Sequence, residues 1–199
     1  MNDSDEPRPA AIEGQKRELA LLVIRCQLGE RDALDRMVVD WHASVFRYVA
    51  SFLQDPREVD EVCQNVWLGV LRGLPRLKER ASFAPWLFGI ARRSAFDWMR
   101  MRYRHAPEEP WPEDIEVTEA SDGSTDDPEG LDPNVLEQGL QSLTPLEREV
   151  VLLHYFEGLP IDQIGEAIHA PPGTVKSRLH RARRKLRAQF GPFDRGIAP

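Results

Sequence analysis

The chain has 199 residues, 41% hydrophobic and 30% charged, a composition normal for a globular protein. No apolar run approaches the roughly 20 residues that span a bilayer, and the opening MNDSDEPRPA is acidic and polar, unlike a secretory leader, so a cytoplasmic protein without membrane insertion is expected. The net charge of -7 argues against a nucleic-acid binder only until it is divided: residues 105–142 hold 12 acids and no base, whereas 25–104 hold 14 bases against 10 acids and 143–190 hold 8 against 5.

Taken in chain order, residues 1–18 are polar and are expected to be disordered, with a first helix from about Leu19 to Leu28. Leu34, Met37, Val38, Trp41, Val45, Tyr48, Val49 and Phe52 then recur at three- and four-residue steps, which predicts a helix with one apolar face. Gln54-Asp55-Pro56 marks a turn, with Asp55 as N-cap and Pro56 in the first turn of the next helix. The stripe of that helix is Val59, Val62, Cys63, Val66, Trp67, Val70 and Leu71, and Gly73-Leu74-Pro75 ends it. A loop from Arg76 to Ala84 leads to Pro85 and a further helix carrying Trp86, Leu87, Ile90, Ala91 and Trp98 towards Arg104. These helices make a first domain over 19–105.

Residues 106–133 contain 11 acids, no base and five prolines, so they can bury no core and repel themselves into an extended form. They read as a flexible linker. A second helical domain over 134–190 starts where Ser142 or Thr144 can cap a helix from about Pro145 to Phe156, stopped by Glu157-Gly158. A helix from Pro160 to Ile168, a break at His169-Ala170 and a long helix from Pro171 to about Gln189 follow, and residues 191–199 form a tail. Two helices about a tight break, the second rich in bases, outline a helix-turn-helix. No alternating strand pattern occurs, so the expected fold is all-α, two small helical domains on a flexible acidic linker.

In the last helix Val175, Leu179, Ala182 and Leu186 mark a buried face, which leaves Lys176, Ser177, Arg178, His180, Arg181, Arg184, Lys185 and Arg187 expected to point outward. The N-terminal half of such a helix enters the major groove, where Lys and Arg reach guanine edges. Lys176, Ser177, His180 and Arg181 are therefore base-reading candidates, and Arg183, Arg184, Lys185 and Arg187 candidates for phosphates. A solvated basic surface is the plainer reading of the same residues. In the first domain Trp86, Phe88, Phe96, Trp98 and Tyr103 alternate with Arg92, Arg93, Arg100, Arg102 and Arg104. Aromatic rings stack on unpaired bases while arginines hold the backbone, although rings on an apolar stripe equally serve a core. Trp86 and Trp98 fall on that stripe.

The chain carries no Gly-rich phosphate loop, no HExxH and no nucleophile in a recognisable setting, and its five histidines have no ligand spacing, so neither an enzyme nor a cofactor, metal or small-molecule substrate is expected. Cys26 and Cys63 sit in apolar helical patterns and read as small buried hydrophobes.

Several runs resemble a known family. Leu28-Gly29-Glu30-Arg31-Asp32-Ala33-Leu34, Asp60-Glu61-Val62-Cys63-Gln64-Asn65-Val66-Trp67 and Phe83-Ala84-Pro85-Trp86-Leu87-Phe88-Gly89-Ile90-Ala91-Arg92-Arg93, with Asp97 and Arg100, resemble region 2 of the sigma-70 family. Leu143-Thr144-Pro145-Leu146-Glu147-Arg148-Glu149-Val150 and Gly173 through Arg183 are similar to its region 4. Only the acidic linker separates them, as in the extracytoplasmic-function (ECF) subgroup. The resemblance implies a bacterial transcription initiation factor that binds core RNA polymerase and promoter DNA, with an anti-sigma factor as a candidate further partner. It implies that Asp60, Glu61, Gln64 and Asn65 dock on the polymerase, that Arg76, Lys78, Phe83, Trp86, Arg92, Arg93 and Arg100 engage and melt the downstream promoter element, and that Lys176, Ser177, Arg178, His180, Arg181 and Arg184 read the upstream element. Asn65 stands where the family usually has an acid and Arg93 where it usually has asparagine. The alternative is a free-standing helix-turn-helix regulator, which leaves the first domain unexplained. The acidic linker is also expected to compete with DNA for the two basic domains, so that the free chain binds DNA weakly until polymerase holds both domains together.

Overall fold

A computed structural model of the chain describes residues 9–102 and 139–190, which form helices and turns with no strand among them. The fold is all-α, in two compact units, one built on the N-terminal helices and one on the C-terminal helices. The predicted linker 106–133 and tail 191–199, together with Tyr103 and Arg104, lie outside the described residues.

In the first unit α1 runs over Pro9–Gln27, so residues 9–18 are helical where a disordered N-terminus was expected. It stops in a tight reversal: Gly29, at φ 82, donates to the Cys26 carbonyl at 3.0 Å and Glu30 donates to the Arg25 carbonyl at 3.2 Å. This is the glycine-terminated ending that satisfies the last carbonyls of a helix, and a side chain at position 29 would strain it. Glu30 also binds Arg25 at 2.7 Å across the turn. Helix α2 (Arg31–Ala50) follows at once.

The buried face of α2 is Ala33, Met37, Val45, Tyr48 and Val49, while Val38, expected on the stripe, is exposed. Helix α3 (Pro56–Gly73) begins as the sequence predicts, with Pro56 at its first position and the Asp55 carboxylate accepting the Arg57 N–H at 2.9 Å. Val59, Val62, Cys63, Val66 and Val70 are buried, but Leu71 is 47% exposed. Burial, helped by the nearby Asp60 carboxylate, pushes the Cys63 thiol up to about 11, so it stays a neutral apolar group. Two single-turn 3-10 helices, Leu74–Arg76 and Arg80–Ser82, connect α3 to α4 (Phe83–Arg102). The core between these helices is largely aromatic: Tyr48 meets Phe88 at 5.2 Å and Phe52 at 5.3 Å between centroids, and Phe52 meets Phe96 at 5.5 Å.

The second unit opens on α5 (Pro145–Val151), with Pro145 at the first position and a complete capping box. The Thr144 hydroxyl accepts the Glu147 N–H at 3.3 Å and the Glu147 carboxylate accepts the Thr144 N–H at 3.0 Å. From Leu152 to Phe156 the helix widens to a π turn, in which Glu157 N–H reaches the Leu152 carbonyl, and Gly158 at φ 64 reverses the chain. Helix α6 (Ile161–Ile168) ends at His169, whose left-handed φ 55 is unusual for a residue with a side chain. Gly165 makes that sharp break possible, since a Cβ there would sit 2.8 Å from the Ala170 carbonyl oxygen. Helix α7 (Pro172–Phe190) starts one residue later than expected. Pro172, with no N–H to leave unsatisfied, suits its first position.

Candidate nucleic-acid interface

Helix α7 is seated on the second unit by Val175, Leu179, Ala182 and Leu186, all buried. Lys176, His180 and Arg184 are exposed, and Arg181 and Ser177 are partly so. Ser177 turns its hydroxyl proton back to the Thr174 carbonyl at 2.9 Å, which leaves its lone pairs for an incoming donor. Arg178 departs from the expectation. It is 3% exposed. Three residues after Val175 and four before Ala182, it shares their helical stripe, and spacing alone therefore sends it inward. Glu149 of α5 is also fully buried, and both charges are engaged by other groups, as buried charges have to be.

Two more bases of α7 are occupied by the fold. Lys185, expected to face phosphate, donates to Glu147 at 2.6 Å, and Arg183 donates to the Tyr155 hydroxyl at 2.8 Å with its guanidinium 5.8 Å from the ring centre. The other Glu147 oxygen lies 3.9 Å from Arg181. Burial pushes the Glu147 carboxyl up, but the Lys185 ammonium and the Thr144 hydrogen bonds outweigh it and hold the group below its ordinary value. One carboxylate thus caps α5 and anchors α7.

The second surface is the connection between α3 and α4 with the outer side of α4. Arg76, Lys78 and Arg80 are exposed on the connection, and Arg93 and Arg100 on the helix. Phe83 is not part of this surface. It is 0% exposed, its ring 5.4 Å from Trp41 and edge-on to it. The sequence suggested a helix starting at Pro85, but the preceding 3-10 turn runs directly into α4, so Phe83 becomes its first residue and faces the core. Trp86 is half-buried and lies against the end of α3, where a Cβ on Gly73 would approach its ring to 2.8 Å. Phe88 and Phe96 are buried as well, and the Arg92 guanidinium stacks 4.3 Å over Phe96. The aromatic rings of α4 build the core, and the outer face offers cations instead.

On α3 the four expected polymerase-facing residues, Asp60, Glu61, Gln64 and Asn65, are all exposed and follow one another along a single side. The same side continues into Leu68 and Leu71, each 47% exposed. Sequence reasoning assigned Leu71 to the core and passed over Leu68. The available signal was the spacing, since 61, 64, 68 and 71 are three and four apart.

Models of sigma-70 region 2 and of sigma-70 region 4 match residues 37–105 and 134–186. The RNA polymerase sigma-H factor of Pseudomonas aeruginosa is 29% identical over 183 residues, covering 87% of this chain and 94% of its own. The ECF RNA polymerase sigma factor ShbA of Streptomyces griseus is 30% identical over 180 residues, covering 85% and 94%. Among solved structures, the sigma factor RpoE of Bartonella quintana, in complex with the anti-sigma factor NepR, superposes with a TM-score of 0.60 over 79% of this chain and 98% of that one, at 19% identity. With both regions present in order on the two helical units, and with relatives matched along almost their whole length, the chain belongs to the sigma-70 family of RNA polymerase sigma factors, in its ECF branch.

Proposed function

We propose that this sigma factor binds core RNA polymerase through the exposed side of α3, reads the upstream promoter element with α7, and engages and melts the downstream element with the 76–82 connection and the arginines of α4. The observation that carries the reading is the pair of outward cationic surfaces, Lys176, Arg181 and Arg184 beside His180 on one unit and Arg76, Lys78, Arg93 and Arg100 on the other, each on a region of the same family. Cations neutralise phosphate wherever they meet it, and those at the start of a groove-entering helix also read base edges. Asp60 and Glu61 beside Leu68 and Leu71 offer an acidic and then apolar strip, suited to a protein surface with basic and apolar groups. The chain would work in the cytoplasm and carry no catalytic group of its own, leaving phosphodiester chemistry to the polymerase. An anti-sigma inhibitor belongs to the same proposal, by analogy with the NepR complex of a protein that shares the fold.

The test is run-off transcription by sigma-free bacterial core polymerase on promoter fragments from the source organism, with and without the chain. Discrete transcripts that depend on the chain are expected, and they define its promoter. The absence of both transcripts and binding to core would overturn the proposal and favour a free-standing regulator.

A further inference from the structure

Gln27 is the last residue of α1, and its carboxamide reaches out of that helix to the far connection between α3 and α4. Its nitrogen donates to the Leu74 carbonyl at 2.9 Å and to the Leu77 carbonyl at 2.8 Å, and its oxygen accepts from Arg80 Nε at 3.3 Å. A carboxamide has two N–H donors and one carbonyl oxygen, so three partners on one seven-residue segment use both donors and the acceptor. The Leu74 carbonyl also receives the Leu77 N–H at 3.1 Å, so the turn and the carboxamide close on the same oxygen. Leu74 is buried and roots the start of the segment, but beyond it Arg76, Lys78, Glu79 and Arg80 are exposed, and the backbone holds only two single-turn helices. The clip is itself fixed, because the Gly29 reversal and the Arg25–Glu30 ion pair lock the end of α1 that carries Gln27.

We infer that Gln27 is a positioning residue for downstream promoter recognition: it touches no DNA but holds the 74–80 segment in the one shape that presents Arg76 and Lys78 to the separated strand. The inference rests on the proposed role of that segment. A loop free to take several shapes can adapt its cations to several sequences, whereas a loop held in one shape fits fewer of them. Gln27 should therefore affect the choice among downstream sequences more than the affinity for polymerase or for upstream DNA.

The experiment uses the full chain with core polymerase and a template library randomised across the downstream element of a promoter found in the run-off assay. Discrimination is read as the spread of transcript yields across the library. Gln27→Glu keeps the shape but sets a carboxylate against two carbonyl oxygens, and should reduce discrimination by about tenfold. Gln27→Lys restores donors to both carbonyls, loses the acceptor, and should recover part of that loss. Affinity for core should be the same in all three proteins, and the melting temperature should fall only by the few degrees that hydrogen bonds lost at one part-buried site cost. Three results would overturn the inference. One is Arg76→Ala and Lys78→Ala flattening the spread while both Gln27 variants leave it intact. Another is Gln27→Glu lowering melting temperature and core affinity together without changing the spread. If the Arg76 and Lys78 variants also leave the spread unchanged, the downstream reading of the segment fails, and the inference with it.

Discussion

The two DNA-facing surfaces proposed here are built in opposite ways. On α7 each cation is placed by helical geometry: once Val175, Leu179, Ala182 and Leu186 are buried, the direction of every other side chain follows. On the 76–82 connection only single-turn 3-10 helices set direction, and the cations stand where three hydrogen bonds to a residue about 50 positions earlier hold the segment. A helical surface is therefore robust to single polar changes and sensitive to loss of its core, and a clipped loop is the reverse.

The largest effect that tests this contrast is expected from the core. Leu179→Ala removes a buried side chain under α7 and should cost about 2–5 kcal/mol. Hydrogen exchange should show the loss over 145–190, with protection of α2 and α3 unchanged; equal loss in both units would break the comparison. Next comes a surface cation. Lys176→Ala should weaken binding to the upstream element by about tenfold or more without changing the melting temperature, as removal of a base-reading contact worth about 1–3 kcal/mol would. A uniform loss on all sequences would reassign Lys176 to phosphate. Third is the carboxylate that ties α7 to α5. Because the Glu147 carboxyl is held below its ordinary value near 4.5, its contribution is complete above that pH and disappears as the pH falls through the lower folded value. Glu147→Gln should remove this acid sensitivity and cost about 1–2 kcal/mol at neutral pH, read from denaturation midpoints across that window. The smallest effect concerns the break before α7. His169→Gly should stabilise the second unit by up to about 1 kcal/mol by relieving its left-handed backbone. A destabilised variant would mean that the imidazole makes a contact worth more than the strain.

The same contrast explains what could be read from the sequence. Asp55 as a cap, the α5 capping box, the reversal at Gly158 and the break at His169 are all written within a few neighbouring residues, and periodicity places the buried face of α7. The inward turn of Arg178 was also legible in that periodicity, but its charge argued for the surface. Phe83 shows a different limit: Pro85 looked like a helix start, and only the 3-10 turn ahead of it puts the ring in the core. Gln27 and the Glu147–Lys185 pair could not be read locally at all. They join residues 38 to 53 positions apart, and nothing in the intervening sequence announces them. The start of α1 at Pro9 was missed because its first two turns lack an apolar stripe long enough to outweigh a polar N-terminus.

Counted as ions released rather than charges carried, α7 is smaller than its sequence. Seven Lys and Arg side chains lie along it, but Arg178 is interior, Arg183 serves Tyr155 and Lys185 serves Glu147. Arg181 also lies 3.9 Å from Glu147. Each phosphate neutralised contributes about 0.9 to the slope of log affinity against log salt, so if α7 meets the upstream element as proposed, its slope should be shallower by at least about 2 than its charge suggests. Such a helix should be a poor collector of arbitrary DNA and lose comparatively little as salt rises. Its preference for a particular sequence would then depend on exposed cations such as Lys176 and Arg184, and changing one of them would alter a large share of what the helix can offer.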